Sequence, residues 1–348
     1  MSTTALSFFI SALGLGTMIT VSSHHWILAW MGLEMNTLAI IPLMSQHHHP
    51  RAVEATIKYF LTQASASALI LFASINNAWM TGEWDITSLT YPLSILMFTI
   101  AVAMKIGLAP FHFWLPEVLQ GLDLMTGLIL STWQKLAPIT LLFLASHSMN
   151  LQLLLTLAII STLVGGWGGL NQTHLRKILA YSSIAHLGWM AAILTINPQL
   201  TLITLLLYII MTSSLFLTFK LLSSTKISTL STSWSKSTAL TSLAVLSLLS
   251  LGGLPPLSGF LPKWLIIQEL SKQNGAMIAT LMALSALLSL FFYLRLSYAM
   301  TLTMHPSTSN SSLSWRLLSK QTTTVLPLTL IMSSLLLPIT PSVLTLIQ

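Results

Sequence analysis

The sequence predicts an all-α polytopic membrane protein with about eleven transmembrane helices. Three observations lead there. Only 6% of the residues are charged and 54% are hydrophobic, with a mean hydropathy of +0.82, whereas a soluble domain carries about 25% charged residues. The apolar runs are about 20 residues long without strict alternation, which selects helices over a barrel. The basic residues that lie in loops also fall almost entirely in alternate ones.

The apolar runs place spans over 3–21, 24–44, 55–78, 92–116, 123–145, 149–170, 178–195, 198–219, 238–270, 275–303 and 324–346. The first, sixth, eighth and last are plain apolar runs, while the third carries Lys58 near its start and the tenth Arg295 toward its inner end. The second, fifth and seventh each carry one ionisable residue near the middle. The fourth and ninth carry internal prolines and run longer than a straight crossing needs, as interrupted helices do. Loops on the side of the N-terminus hold Arg51, Arg176, Lys177, Lys220, Lys226, Lys236, Arg316 and Lys320. Loops on the opposite side hold Lys272, with Glu83 and Asp85. The positive-inside rule puts the N-terminus on the inner side and, after eleven crossings, the C-terminus outside. A miscounted helix would scramble this asymmetry.

The two interrupted spans are copies. Gly107-Leu108, Pro110, Trp114, Leu115-Pro116 and Glu117 align with Gly253-Leu254, Pro256, Phe260, Leu261-Pro262 and Lys263, each pair 146 residues apart. Proline removes a helical donor and clashes with the preceding turn. Lipid tolerates broken backbone only where protein or a water-filled cavity surrounds it. Paired interruptions in two halves of a membrane chain point to a transport pathway. An odd number of helix steps separates the copies, so they cross in opposite directions. The expected plan is a single membrane domain over 1–348. Residues 1–146 form a first inverted five-helix repeat, 147–303 a second, and 304–348 an inner loop and terminal helix.

Composition excludes several chemistries. With no cysteine, the chain holds no disulfide, thiolate-bound zinc or cysteine-ligated iron–sulfur cluster. The net charge of +7 is accounted for by topology, so no nucleic-acid partner is expected. The first basic residue is Arg51, and neither a secretory signal nor an Arg-rich transit peptide is legible; insertion where the chain is made is the expectation. His47-His48-His49, beside Pro50 and Arg51, reads as a solvated loop rather than a metal site. Gly165-Gly166-Trp167-Gly168-Gly169 follows no strand and lacks dinucleotide-loop spacing, so it reads as close helix packing. Asn171-Gln172-Thr173 and Asn310-Ser311-Ser312 match the glycosylation pattern but fall on the inner side. Glu54 and Lys58, four residues apart, read as an interfacial pair, and Arg295 reads as snorkelling. No cofactor site and no metal site is expected in this chain, and no nucleotide loop or haem-style histidine ladder is present.

The candidate functional residues are ionisable groups at membrane depth. Glu34 is at the middle of the second span, Lys135 near the middle of the fifth and His186 near the middle of the seventh. Lys105 precedes the first break, Lys263 follows the second, and His112 lies in the first break between Pro110 and Pro116. A charge at the bilayer centre costs about 2.5 to 3.5 kcal/mol on insertion scales. Burial disfavours the charged form of either sign, and histidine needs little help to exchange protons. A row of such groups at one depth reads as a proton relay. A static Glu34–Lys105 ion pair and a satisfied core histidine at His186 are the alternatives.

Three motifs carry a resemblance: Trp30-Met31-Gly32-Leu33-Glu34-Met35-Asn36; Lys105-Ile106-Gly107-Leu108-Ala109-Pro110-Phe111-His112-Phe113-Trp114; and Leu251-Gly252-Gly253-Leu254-Pro255-Pro256-Leu257-Ser258-Gly259-Phe260. Over essentially its whole length the chain resembles the subunit 2 family of mitochondrial NADH:ubiquinone oxidoreductase (respiratory complex I). These are antiporter-like proteins related to multi-subunit cation/proton antiporters. The resemblance implies a fourteen-helix plan, shortened by three helices in animal mitochondrial forms, which leaves a surface for another subunit. It implies Glu34 and Lys105 as the charged pair of a first half-channel, Lys135 as a bridging lysine, His186 as a connecting group and Lys263 as the terminal lysine. It also implies the mitochondrial inner membrane, with the N-terminus on the matrix side and the C-terminus on the intermembrane side. The implied partners are the other membrane subunits of complex I, including antiporter-like neighbours, and membrane lipids, cardiolipin among them. NADH, FMN, iron–sulfur clusters and ubiquinone would belong to the parent complex. Other readings are a stand-alone cation/proton antiporter and a structural membrane scaffold.

Overall fold

The computed structural model describes residues 2–46, 49–301, 324–340 and 342. Among these residues the secondary structure is helical, with two isolated β-bridges, His25 to Asp85 and His174 to Lys226. Among the described residues seven helical stretches, counting Leu124–Leu144 as one, are long and apolar enough to cross a membrane. The chain divides into two compact units, Met1–Ser161 with Ala191–Pro198, and Thr162–Met190 with Gln199–Gln348.

The first unit begins with α1 (Thr3–Ser22), α2 (Trp26–Met44) and α3 (Pro50–Thr81). Each start is capped from its own sequence: Ser2 Oγ accepts from Ala5 N at 3.3 Å, His25 Nδ1 from Ile27 N at 3.2 Å and His49 Nδ1 from Arg51 N at 3.3 Å. Such caps take up amide donors that the first turn leaves free. The other two members of the histidine triplet lie outside the described residues. Helices α1 and α2 touch through backbone. A Cβ on Gly32 would lie 2.8 Å from Gly16 O, and one on Gly16 would lie 2.5 Å from Asn36 Oδ1. The α3–α4 connection is gathered by Asn77. Its Nδ2 donates to Ser88 O at 3.2 Å and its Oδ1 accepts from Thr90 N and Tyr91 N, each at 3.4 Å.

The fourth span is α4 (Pro92–Ile106) and α5 (Trp114–Gly121), separated by a break. The fifth is α6 (Leu124–Ser131) and α7 (Trp133–Leu144). Between them Thr132 sits at φ −111°, ψ −66°, and Lys135 N reaches back only three residues, to Thr132 O at 3.3 Å. Pro138, inside α7, crowds the carbonyl four residues before it and offers it no donor. From the sequence this span is expected to be uninterrupted. Its irregularity falls just before Lys135.

The Glu54–Lys58 pair is present at 2.7 Å and has a third member, because Lys58 Nζ also lies 2.7 Å from Glu117 Oε2. The Lys58–Glu117 bond ties α5 back to α3, and Glu54 braces Lys58 from within α3. All three side chains are substantially exposed, so solvent and salt screen the tether. Lys58→Met is expected to lower the thermal midpoint by a few degrees at low ionic strength. The difference should disappear in high salt; a salt-independent loss would mean that the lysine stem, not its charge, holds α5.

The second unit draws on α8 (Leu151–Gly169) and α9 (Leu175–Ile193), within which the division falls. It continues with α10 (Pro198–Leu221), a short α11 (Ile227–Ser231), and α12 (Thr238–Gly252). After a second break come α13 (Phe260–Lys272), α14 (Ala276–Thr301) and α15 (Val325–Leu335). The glycine-rich run is a packing surface. A Cβ on Gly165 would lie 2.7 Å from Ala185 N in α9, and one on Gly166 2.8 Å from Leu288 Cβ in α14. Arg295 is exposed, and its Nη1 also donates to Leu170 O at 2.6 Å, just past the end of α8. The second glycosylation-like tripeptide, the inner loop 304–323 and the end of the terminal helix fall on residues outside those described.

Candidate functional site

The two breaks are built alike from backbone upward. Helix α4 ends on Gly107 (φ 86°, ψ 39°) and α12 on Gly253 (φ 79°, ψ 37°). That left-handed conformation is one glycine adopts freely. A cis X-Pro bond follows in each, Ala109–Pro110 and Pro255–Pro256. The helices resume at Trp114 and Phe260. Every one of these landmarks keeps the spacing of 146 residues read from the sequence.

The carbonyls freed at a helix end need donors, because no water serves them in a membrane interior. At the first break, Ala103 O accepts from Gly107 N and Leu108 N, each at 2.9 Å. Met104 O accepts from the indole of Trp114 at 3.1 Å, and Lys105 O from the amide of Gln63 at 3.3 Å. At the second break, Leu249 O accepts from Leu254 N at 3.3 Å and Ser250 O from Gly253 N at 2.9 Å. Gly252 O accepts from the ammonium of Lys263 at 2.8 Å. The first break is satisfied by neutral donors and the second by a lysine.

That difference leaves Lys105 uncommitted. Its side chain is 5% exposed, and among the described residues its Nζ has no hydrogen-bond partner and joins no ion pair. Glu34, half-buried on α2, accepts from the Thr37 hydroxyl at 3.2 Å. Among the described residues no ion pair joins it to Lys105. A static ion pair is therefore not what α2 and α4 form. His112 is buried in the break with its ring 4.4 Å from that of Phe113. Lys135 is buried in the first turn of α7, a helix that packs on α1, α2 and α4. The first unit thus gathers Glu34, Lys105, His112 and Lys135.

The second unit holds His186 and Lys263. His186 is buried at the middle of α9, 5.7 Å from the ring of Tyr208 on α10. Lys263 is half-buried, and glycine at 253 makes room for it, since a Cβ there would lie 2.9 Å from its Nζ. Among the described residues no group of three metal-ligating side chains is present.

The family model described as NADH:quinone oxidoreductase/Mrp antiporter, TM matches residues 23–289, and the one described as NADH dehydrogenase subunit 2 C-terminus matches residues 290–344. The protein of Xenopus laevis named NADH-ubiquinone oxidoreductase chain 2 is 65% identical over 345 residues, covering 99% of this chain and 100% of that one. The chain belongs to the NADH-ubiquinone oxidoreductase chain 2 family. Chain 2 membership agrees with the solved structures. A chain of respiratory complex I from Thermus thermophilus is 28% identical with a TM-score of 0.79, covering 95% of this chain and 78% of that one. A chain of the Mrp complex from Dietzia sp. DQ12-45-1b, at 18% identity and a TM-score of 0.78, shares the fold over 84% of this chain and 60% of that one.

Uncharged residues outside the expected relay also bear on the site. Gln63 and Trp114 hold the first break, and Gln134 donates to Asn36 O at 3.2 Å. A lone amide inside an apolar run is the signal each glutamine leaves in the sequence. Asn36 is 2% exposed, and neither atom of its amide has a hydrogen-bond partner among the described residues.

Proposed function

We propose that the chain works as a membrane subunit of a proton-translocating NADH:ubiquinone oxidoreductase. It passes protons along Glu34, Lys105, His112, Lys135, His186 and Lys263, while NADH oxidation and quinone reduction take place in other subunits. The observation that carries this reading is Lys105. A lysine kept for structure would spend its ammonium on the carbonyls of the adjacent break, yet Trp114 and Gln63 take those carbonyls. The desolvation of Lys105 is left without structural return, which is expected of a group whose work is exchanging a proton.

Coupling in this reading is electrostatic. A change of charge near Glu34 alters the field at Lys105, which has no hydrogen bond to release. The proton balance between Lys105 and Lys135 then shifts, and a proton moves toward or away from His186 and Lys263. The matching breaks support two inverted repeats, 1–146 and 147–303, followed by 304–348. Complex membership supports the finer placement: the mitochondrial inner membrane, with antiporter-like subunits as neighbours and cardiolipin among the lipids. NADH, FMN, iron–sulfur clusters and ubiquinone are then carried by the parent complex. The basic inner-side loops support an N-terminus on the matrix side and a C-terminus on the intermembrane side.

The test is proton stoichiometry. Reconstituted complex carrying Lys135→Ala or Glu34→Gln is expected to lose a measurable share of the protons moved per NADH oxidised. Full stoichiometry in both variants would remove the relay role.

A further inference from the structure

We propose that Gln134 is a positioning residue that holds the Lys135-bearing helix in register with the Glu34-bearing helix. The inference rests on the relay reading above and concerns an uncharged side chain outside it. Gln134 and Lys135 are neighbours in the first turn of α7, directly after the irregular residue Thr132. A turn without regular hydrogen bonds does not fix its own orientation, so an outside bond must. Gln134 Nε2 supplies it, donating to Asn36 O at 3.2 Å. Asn36 lies two residues beyond Glu34 on α2.

The acceptor is well anchored. Asn36 is buried, and a Cβ on Gly16 of α1 would meet its Oδ1 at 2.5 Å, so the backbones of α1 and α2 leave this stretch little freedom. A carbonyl oxygen has two lone pairs and accepts a second bond without giving up its helical one. In an apolar interior the amide has no competing water, so the tie persists. On the elements packed against α7 the ionisable groups are Glu34 on α2, Lys105 on α4, Lys135 on α7 itself and His147 in the short turn after α7, while α1 and α6 carry none. The tie therefore sets the Lys135 backbone against the helix that carries Glu34. Without it α7 can rotate or slide, and the Lys135 ammonium leaves its place in the row.

The test uses assembled complex with four variants. Gln134→Met keeps the shape and removes the donor. Gln134→Glu keeps the shape and donates only when protonated. Trp133→Phe is the control, removing the neighbouring indole donor that reaches Leu13 O on α1 at 3.4 Å. Lys135→Ala tests the relay itself. The expected result is that Gln134→Met lowers the protons moved per NADH at least twofold at every pH. Gln134→Glu should pump normally at the acid end of the activity range and fall to the Gln134→Met level as pH rises. Trp133→Phe should behave as wild type. If Gln134→Met fails to assemble, the Gln134→Glu profile decides alone. A Gln134→Glu variant whose stoichiometry stays at wild type across pH overturns the proposal, as does one that is equally impaired at every pH. If Lys135→Ala pumps fully, the relay reading fails; if Lys135→Ala fails and the Gln134 series does not, only the positioning role is lost.

Discussion

Gly259→Ala is expected to abolish accumulation of the subunit in the membrane. Gly259 has ordinary helical angles, φ −70° and ψ −13°, so the cost is not conformational. A Cβ there would fall on the carbonyl oxygen of Ser250 and 2.7 Å from its carbonyl carbon, with Met211 Sδ 3.2 Å away on α10. The clash is between backbones at the second break, where neither partner is the tip of a flexible side chain. Overpacking in a close-packed interior costs about 1–3 kcal/mol when side chains give way, and more when backbone must. We expect about 3 kcal/mol or more, enough to remove most folded subunit. Gly82→Ala is the comparison. It caps the C-terminus of α3 with φ 77°, but nothing lies within 4 Å of its Cβ, so only the strain of about 1 kcal/mol remains. Subunit content of membranes, measured for both, checks the ranking. Equal amounts of the two would mean that the second break relaxes around an added methyl.

Lys105→Met and Lys263→Met are expected to shift heat stability in opposite directions while both reduce pumping. Removing Lys105 takes away a buried ammonium that forms no hydrogen bond. Methionine fills the space without a desolvation cost, so stability should be unchanged or rise by about 1 kcal/mol. Removing Lys263 leaves Gly252 O, its acceptor at 2.8 Å, without a donor. An unmade bond at a buried carbonyl costs about 1–3 kcal/mol. Heat inactivation of the assembled complex, with proton stoichiometry measured beside it, reads both effects. Destabilisation of similar size in the two variants would show that Lys105 has a structural partner after all.

The helix count, the two breaks and their spacing were legible because they depend on proline, glycine and long apolar runs, whose effects are local. The ionisable candidates themselves were legible for a related reason: a charge in an apolar run stands out. The relation between Glu34 and Lys105 was not. Residue types show that two charges share a depth, not whether they meet, and here Glu34 bonds to Thr37 instead. Nor did the sequence single out the neutral donors. Gln63, Gln134 and Trp114 serve carbonyls on distant helices, and only tertiary packing brings such partners together. Glu117 was missed as the third member of the Lys58 cluster because the pairing crosses 59 residues, beyond any helical spacing rule. The irregularity at Thr132 had a local sign in Pro138, which a straight-span reading passes over.

The paired breaks also leave two fixed electrical poles within the fold. A helix C-terminus carries about half a negative elementary charge from its aligned peptide groups. Helix α4 presents that pole at Ile106, with Lys105 in its last turn, and α12 presents it at Gly252, where the Lys263 ammonium rests on the final carbonyl. In the alignment of the two copies the lysines fall out of register, one before its break and one after, with Leu251 standing where Lys105 would be. Measured against the backbone's own charge, the two copies share the negative end of the helix entering the break and differ in what meets it. At the first break Lys105 belongs to the last turn but leaves the carbonyls to Trp114 and Gln63, while at the second the Lys263 ammonium bonds the final carbonyl from the helix beyond.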